Sequence, residues 1–408
     1  MTKKIWGGVL VILIIISLFF AAQKIAAIAD YINNDFLVFW LAGYSNWEDI
    51  DPYNASDWIN ARIQFGSENI PEPEFLYPLP LAVFLAPLGL LNLHQAFTMW
   101  VFLSACLIII SISIILRFGK THPQIIYLAI PFLLFSPLFP PTLITLFLGQ
   151  LSAVLLLFAS LAIYFWQQRK WFWGGFFIAF FTLKPSIGLP LLALTTLWLL
   201  NRKQFRAISG IISASLLLLI IGLIKDPLWI SKYLAIGSNK ISNTFGFSPT
   251  IWGISGLSCD FDRSCTITFG LIGILTFLAI NFWLLFKWKD ASLSLEFGQI
   301  LIVSLLSAPY LWPYDQLLLL IPILLGLITL IHQGFSPIKT ILIFILISFF
   351  AIGLGLTANI LEHPHENLYV LLSIIVWGMN TWILYRVNLE KHSSAHSEKS
   401  EINLLTRG

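Results

Sequence analysis

Apolar blocks recur along almost the whole chain, and short polar segments separate them. Because a helix needs about 20 apolar residues to cross a bilayer, blocks of roughly 17 to 25 residues predict membrane spans. The predicted spans are 6–22, 96–116, 125–147, 151–166, 171–183, 186–200, 207–224, 266–286, 294–309, 316–331, 340–358 and 368–385. Prolines interrupt a further block, Leu76–Leu91, which predicts a tilted or re-entrant element. The pattern predicts an all-α polytopic integral membrane protein with about twelve transmembrane helices, within a range of about 11 to 13.

The composition is that of a membrane protein. Of the 408 residues, 58% are hydrophobic and 11% are charged, whereas soluble domains carry about 25% charged residues. The net charge is only +3, and the basic residues form short clusters between the spans, which excludes a nucleic-acid partner. The first apolar segment has no convincing small-residue cleavage site, so we expect a retained helix rather than a signal peptide.

The distribution of charge predicts the orientation of the chain. With the spans above, both termini and most of the 23 basic residues fall on one side, and most of the 20 acidic residues fall on the other. Since basic residues favour the cytoplasmic side, we expect both termini to be cytoplasmic.

Two long polar segments, 23–75 and 225–266, then form external loops. The first loop mixes turn formers such as Asp51-Pro52 with Trp47 and Trp58, which predicts short interfacial helices. Residues 1–385 are expected to form a single transmembrane domain, and 386–408 a cytoplasmic polar tail that is disordered.

Asp35 is the first candidate for chemistry. It follows the first span and precedes Phe36, Phe39 and Trp40, so its carboxylate is expected at the membrane surface beside an apolar wall. Partial desolvation raises the proton affinity of a carboxylate, which suits a general base. The alternative is a structural role as a helix N-cap, which Asp also favours.

Lys184-Pro185 interrupts an apolar stretch, and a lysine there needs an anion or a route to water. A phosphate fits, because the helix that follows the break adds a partial positive charge. Simple snorkelling of the lysine is the alternative. Arg62 in the first loop is a second candidate ligand for phosphate, although loop arginines are commonly solvated.

Four further residues are candidates for contact with a sugar or an acceptor. Gln150 follows Gly149 between two apolar runs, where it can bind a hydroxyl or cap a tight turn. Tyr77 lies beside the prolines that lead back into the membrane. Trp312 and Asp315 combine an aromatic ring with a carboxylate, as carbohydrate sites do, although an interfacial aromatic belt also explains Trp312.

The cysteines and histidines give weaker signals. Cys259 and Cys265 flank one hydrophilic segment, where a disulfide and two free thiols are both open. His363 and His365 are more typical of an exposed polar turn than of a metal site. We therefore expect neither a metal nor another cofactor.

Several short motifs occur in a characteristic order between about residues 30 and 325. They are Asn34-Asp35-Phe36 with Phe39 and Ala42-Gly43, Asp51-Pro52-Tyr53-Asn54, Phe75-Leu76-Tyr77-Pro78, Gly149-Gln150, Leu183-Lys184-Pro185, Ser248-Pro249 with Trp252, and Ser307-Ala308-Pro309 through Asp315. Together they resemble the polyprenyl-phosphate-mannose-dependent mannosyltransferases of glycosyltransferase family 87, membrane enzymes of the GT-C superfamily.

The resemblance implies a polyprenyl-phosphate-linked sugar donor and inverting, metal-independent transfer to a glycolipid or glycan acceptor at the external face of a bacterial plasma membrane. Asp35 would be the catalytic base and Lys184 would neutralise the leaving phosphate. Gln150, Tyr77 and Asp315 would line the sugar and acceptor site. The stretch Ser45–Ile50 departs from the family pattern, which leaves the acceptor open.

A transporter or a flippase for lipid-linked sugars is the alternative class. Transporters commonly show two related halves with paired broken helices. Here the polar features cluster on one face around one large loop, which favours an enzyme.

Overall fold

The computed structural model of the chain describes residues 2–67, 75–119, 131–133, 136–288, 292–361 and 365–405. Every regular element in these ranges is a helix. The α-helices are α1 (Thr2–Ile28), α2 (Asp35–Tyr44), α3 (Ala55–Gln64), α4 (Leu79–Leu85), α5 (Leu93–Leu116), α6 (Pro140–Phe147), α7 (Ser152–Gln167), α8 (Trp171–Ile178), α9 (Pro185–Asn201), α10 (Phe205–Lys225), α11 (Trp229–Thr244), α12 (Ile251–Ser258), α13 (Arg263–Lys287), α14 (Leu293–Ser307), α15 (Leu320–His332), α16 (Pro337–Leu361) and α17 (Val370–Leu405). Short 3₁₀ helices occur at Leu88–Leu90, Arg117–Gly119, Ser136–Leu138, Ala179–Leu183, Phe245–Phe247, Pro313–Leu319 and His365–Tyr369.

Several helices are long and apolar enough to cross a membrane, in agreement with the polytopic class. Within the described ranges, 6 helical segments meet this criterion by length and composition: Leu93–Leu116, Phe205–Lys225, Arg263–Lys287, Pro313–His332, Pro337–Leu361 and Glu366–Lys391. The helices α7, α9 and α14 are apolar but have 16, 17 and 15 residues. The count of twelve spans is therefore not confirmed, because several predicted spans are shorter than the usual membrane helix.

Two predicted spans are not continuous α-helices. The span 125–147 lies partly outside the described residues, and its last part is a 3₁₀ turn at Ser136–Leu138 followed by α6. Prolines at positions 137, 140 and 141 remove the backbone donors that one continuous helix would need. The span 171–183 begins as α8 and ends as the 3₁₀ helix Ala179–Leu183, just before Lys184, whose proline neighbour disfavours helical backbone.

The proline-rich block Leu76–Leu91 forms α4, which has 7 residues, and the 3₁₀ turn Leu88–Leu90. About 10 Å of helix is too short to cross a bilayer. The block packs against α2, where a Cβ on Gly43 would lie 2.3 Å from the carbonyl oxygen of Leu85. Only glycine allows this close approach, which packs α2, in the first predicted loop, against the proline-rich block.

The first predicted loop contains two short helices, as expected, but α2 is not interfacial. Seven of its ten residues are buried: Phe36, Leu37, Phe39, Trp40, Leu41, Ala42 and Gly43. The indole of Trp40 donates a hydrogen bond to the carbonyl oxygen of Leu91 (3.0 Å). The residues that follow the first span are therefore held in the core rather than on the membrane surface.

The second predicted loop, 225–266, contains α11 and α12 and is tied to the first loop by one lysine. Lys232 Nζ lies 2.7 Å from a carboxylate oxygen of Asp51 and 2.7 Å from one of Asp226. The hydrogen bonds to Asp226 and Asp51 raise the pKa of Lys232 above its usual value. At the end of this loop, Cys259 and Cys265 form a disulfide.

The last helix, α17, continues to Leu405, through most of the tail that was predicted to be disordered. The tail has no proline and no glycine between Arg386 and Arg407. Since nothing interrupts the backbone hydrogen bonds, the helix of the last span can extend into the polar segment.

Turns of a few residues join α7 to α8 and α9 to α10, and each of these two pairs packs together as an antiparallel hairpin. The starts of α7 and α9 lie at one end of this bundle, beside Gln150 and Lys184. Arg169, Arg202 and Arg206 lie in the turns or first residues at the other end. These three arginines therefore lie at the opposite end of the bundle from Lys184.

A buried network of amide side chains joins α13, α14 and α17. Gln299 donates to Asn281 Oδ1 (2.9 Å) and Thr381 Oγ1 (3.0 Å), and its Oε1 accepts from Asn380 Nδ2 (2.8 Å). Trp377 also donates to Asn281 Oδ1 (2.9 Å). Polar side chains join membrane helices in this way because apolar burial alone gives little preference for helix contacts over lipid contacts.

We predict that Gln299→Ala lowers the free energy of unfolding by about 1–2 kcal/mol, since three hydrogen bonds between helices are lost. Thermal unfolding of the purified full chain in detergent measures this. Gln64→Ala, which changes an exposed glutamine on α3, is the control and should leave the transition unchanged. Equal transitions for the wild type and Gln299→Ala would show that the network does not stabilise the bundle.

Candidate active site

Asp35 lies in the first turn of α2 and is not its cap. The cap is Asn34, whose Oδ1 accepts a hydrogen bond from the backbone N–H of Phe36 (2.9 Å). The interpretation of Asp35 as an N-cap is therefore wrong by one residue. Its half-buried carboxylate instead accepts a hydrogen bond from Gln150 Nε2.

Gln150 reaches Asp35 because the chain turns sharply between α6 and α7. Gly149 has φ +62°, and a Cβ at this position would lie 2.8 Å from Phe36. Its carbonyl oxygen accepts from the indole of Trp100 (2.7 Å). A glycine is needed for both the turn and the close approach, so the Gly149-Gln150 pair fixes the amide beside the carboxylate.

Lys184 lies in the break between the 3₁₀ helix Ala179–Leu183 and α9. Its side chain is only 3% exposed, which excludes snorkelling to water. Nζ lies 2.5 Å from Asp315 Oδ1 and 4.6 Å from the ring centroid of Tyr314. The ammonium is thus stabilised by a carboxylate and an aromatic face.

Asp315 is completely buried. Its carboxylate can accept up to about four hydrogen bonds, and three donors are found beside it. Oδ1 accepts from Lys184 and from Ser152 Oγ (2.8 Å), and Oδ2 accepts from the backbone N–H of Trp312 (3.1 Å). The carboxylate that we expected to contact a sugar is instead directed at the lysine.

Tyr314 connects the two charged groups. Its ring centroid lies 4.6 Å from Lys184 Nζ, and its carbonyl oxygen accepts a hydrogen bond from Thr145 Oγ1 (3.2 Å). The carbonyl oxygen of Thr145 in turn accepts from the backbone N–H of Gln150 (2.9 Å), the residue that binds Asp35. Asp35, bound to Gln150, and Lys184, bound to Asp315, therefore belong to one site.

Tyr77 and Trp312 are half-buried at this site. The Tyr77 ring lies 5.1 Å from the ring of Phe39, and its carbonyl oxygen accepts from Tyr53 Oη (2.8 Å). Trp312 precedes the 3₁₀ helix Pro313–Leu319. Both residues are therefore partly accessible, as a carbohydrate contact requires.

Arg62 lies on the buried face of α3, with 3% of its surface exposed. Lys184 contacts Tyr314 and Asp315, which lie in the 3₁₀ helix Pro313–Leu319 rather than on α3. The proposed phosphate role of Arg62 stays a prediction.

A metal site receives no support from the part of the chain that the structure describes, where no group of three or more His, Cys, Asp or Glu side chains is arranged to hold an ion. His363 and the side chain of His365 lie outside that part.

The site combines a half-buried carboxylate with a buried cation. It lies where four helical segments begin, namely α2, α7, α9 and the 3₁₀ helix Pro313–Leu319. A carboxylate of this kind can accept a proton, and the cation can stabilise a developing negative charge. Sequence reasoning missed Ser152 and Tyr314. Their position in the sequence was the available signal, because Ser152 is two residues after Gln150 and Tyr314 is next to Asp315. A serine or a tyrosine alone does not indicate a functional role in a membrane protein.

The sequence model of glycosyltransferase family 87 matches residues 75–322, more than half of the chain. The match contains Tyr77, Gln150, Lys184 and Asp315, whereas Asp35 precedes it. No curated protein and no solved structure matches the chain.

We predict that Lys184 and Asp315 stabilise the folded protein through their direct interaction, so that loss of one residue costs more free energy of unfolding than loss of both charges together. Lys184→Met leaves the Asp315 carboxylate buried without a counter-charge and should cost about 3–5 kcal/mol in the free energy of unfolding. Asp315→Asn, added to Lys184→Met, removes the uncompensated charge and should recover part of that loss. Thermal or denaturant unfolding in detergent gives the double-mutant cycle.

Lys232→Met is the matched control, because Lys232 is also bound to carboxylates but is 35% exposed. Its loss should cost about 1 kcal/mol or less. A double variant that is as unstable as the sum of the two single variants would contradict a direct interaction between Lys184 and Asp315.

Proposed function

Since the chain belongs to glycosyltransferase family 87, we propose that it transfers a hexosyl residue, specifically mannosyl, from a polyprenyl-phosphate-linked donor to a lipid or glycan acceptor. The reaction is proposed to take place at the external face of the plasma membrane, because Asp35 and most of the acidic residues fall in the predicted external segments. The observation that carries the proposal is the Asp35 carboxylate, held by Gln150 in the same site as the buried Lys184–Asp315 pair.

The reaction is a single displacement with inversion at the anomeric carbon. The acceptor hydroxyl oxygen forms a bond to this carbon from the face opposite the phosphate. The bond between the anomeric carbon and the phosphate oxygen breaks, and polyprenyl phosphate leaves with the electron pair. The hydroxyl proton passes to the Asp35 carboxylate, which becomes neutral, and the one negative charge that the reaction adds appears on the leaving phosphate.

Asp35 suits the role of base because its carboxylate is half-buried and oriented. The amide of Gln150 donates to one oxygen, Oδ2, and this hydrogen bond orients the carboxylate. Phe36 and Phe39 on the same helix are completely buried and limit access of water. Proton transfer to a positioned carboxylate contributes about 10²–10⁴-fold to a rate.

Lys184 suits the stabilisation of the leaving phosphate because it is fixed before the donor arrives. Asp315, with Ser152 and the backbone of Trp312, holds the ammonium in the break between two helices. Asp315 is therefore a positioning residue for Lys184 rather than a sugar ligand. A preorganised charge acts on the transition state without further reorganisation.

The partly exposed rings of Tyr77 and Trp312 are proposed to contact the hexose, since aromatic rings pack on its C–H faces. Arg62 is proposed as a second phosphate ligand from its place in the first loop alone. The transporter alternative has no observation in its favour, whereas membership of the family makes the chain a glycosyltransferase.

We predict that Asp35→Asn lowers sugar transfer by about 10²–10⁴-fold, because an amide cannot accept the acceptor proton. The assay measures transfer of label from radiolabelled polyprenyl-phosphate-mannose to cell-envelope lipids and glycans in membranes that contain matched amounts of each protein. The substitution keeps the size of the side chain, so the position and packing of α2 should be unchanged.

Asp49→Asn serves as the control, since Asp49 is an exposed carboxylate in the same predicted loop. It should transfer at the wild-type rate. Equal rates for the wild type and Asp35→Asn would exclude Asp35 as the base. Absence of transfer by the wild type would exclude this donor or these acceptors.

A further inference from the structure

A cavity of about 610 Å³ lies at the end of the bundle opposite the candidate active site. The end of α7, the start of α8 and Arg206 on α10 form its walls. Helix α7 begins two residues after Gln150 and has 16 residues, so it separates the two places by about 24 Å. The cavity is therefore separate from the candidate active site that contains Asp35 and Lys184.

The walls combine positive charge with aromatic rings. The cations are Arg169, Lys170 and Arg206, and none of the described residues that line the cavity is acidic. Trp171 and Trp173 are among the aromatic residues on the walls. We call this feature, lined by these five residues and three phenylalanines, the basic aromatic pocket. Three cations without a lining carboxylate make it a place for an anion.

The local backbone presents these cations to the pocket. Arg169 has φ +59°, in the left-handed region that favours glycine, and its N–H donates to the carbonyl oxygen of Trp166 (2.9 Å). A glycine would fit the turn with less strain but would supply no charge. Lys170 Nζ lies 5.9 Å from the ring centroid of Phe165, which keeps the ammonium at the wall.

We propose that the basic aromatic pocket binds the headgroup of an anionic phospholipid. The lipid phosphate lies among Arg169, Lys170 and Arg206, and the tryptophans pack on the glycerol backbone. Basic pockets between membrane helices at the cytoplasmic side recognise anionic headgroups in this way, and tryptophan favours the same depth in the bilayer.

The surface next to the pocket explains why the anion is a lipid rather than a soluble phosphate. Trp173 is 47% exposed, and on the neighbouring α10 Phe205 and Ile212 are 64% and 53% exposed. These apolar side chains continue from the pocket along a helix that is long enough to span the membrane. Acyl chains can cover this surface, whereas a soluble anion cannot.

The test is native mass spectrometry of the full chain in detergent, titrated with phosphatidylglycerol and, separately, with phosphatidylcholine of the same acyl chains. The first phosphatidylglycerol should bind at least about tenfold more tightly than phosphatidylcholine, given the value of each basic residue near an anionic headgroup. Arg169→Gln/Lys170→Gln/Arg206→Gln should abolish that preference. Equal binding of the two lipids by the wild type overturns the proposal.

Arg117→Gln/Lys287→Gln/Lys339→Gln is the matched control, because it removes three charges near the same end but outside the pocket. It should keep the preference for phosphatidylglycerol, and an equal loss in both triple variants means a general charge effect only. Lys170→Gln alone, which removes one charge, should weaken the preference if the triple variant does not fold. Displacement of the lipid by millimolar inorganic phosphate would assign the pocket to a soluble anion and overturn the lipid assignment.

Discussion

The buried ion pair between Lys184 and Asp315 is the interaction on which the candidate site depends. Neither charge is stable alone in this apolar bundle, because the transfer of each ion out of water costs roughly 5 kcal/mol. Ser152 and the backbone N–H of Trp312 also donate hydrogen bonds to the Asp315 carboxylate. It therefore fixes three separate parts of the chain, the break before α9, the start of α7 and the segment before α15, at one point.

The bundle places its irregular backbone at the same end as these charges. Gly149, Lys184 and the 3₁₀ helix Pro313–Leu319 all interrupt regular helices, and each leaves polar groups that must face protein or water. A second buried pair, Arg202 with Glu296 (2.6 Å), lies at the other end, where Trp198 also donates to Glu296. That pair joins the end of α9 to the start of α14, so we assign it to packing.

The sequence predicted the helical class, the turn at Gly149 and the candidate residues, because prolines, glycines and isolated charges in apolar blocks are local signals. The partners were not predictable. Lys184 and Asp315 are 131 residues apart in the chain, and no local pattern tells which carboxylate a buried lysine meets. The cap of α2 was misassigned to Asp35 because Asn34 and Asp35 are equally good caps, and only the backbone geometry distinguishes them. Short helices such as α7 were predicted as membrane spans from hydropathy alone. Hydropathy does not show at which residue a helix ends, so it does not show whether the helix is long enough to cross the membrane.

An experimental structure of the full chain with bound polyprenyl phosphate, the expected leaving group, tests the site most directly. The phosphate should lie within about 3 Å of Lys184 Nζ, a charge-assisted hydrogen bond, with Asp35 facing the space where the sugar would be. A phosphate bound at the basic aromatic pocket, or anywhere that Lys184 cannot reach, would contradict the assignment of Lys184 and of the whole site.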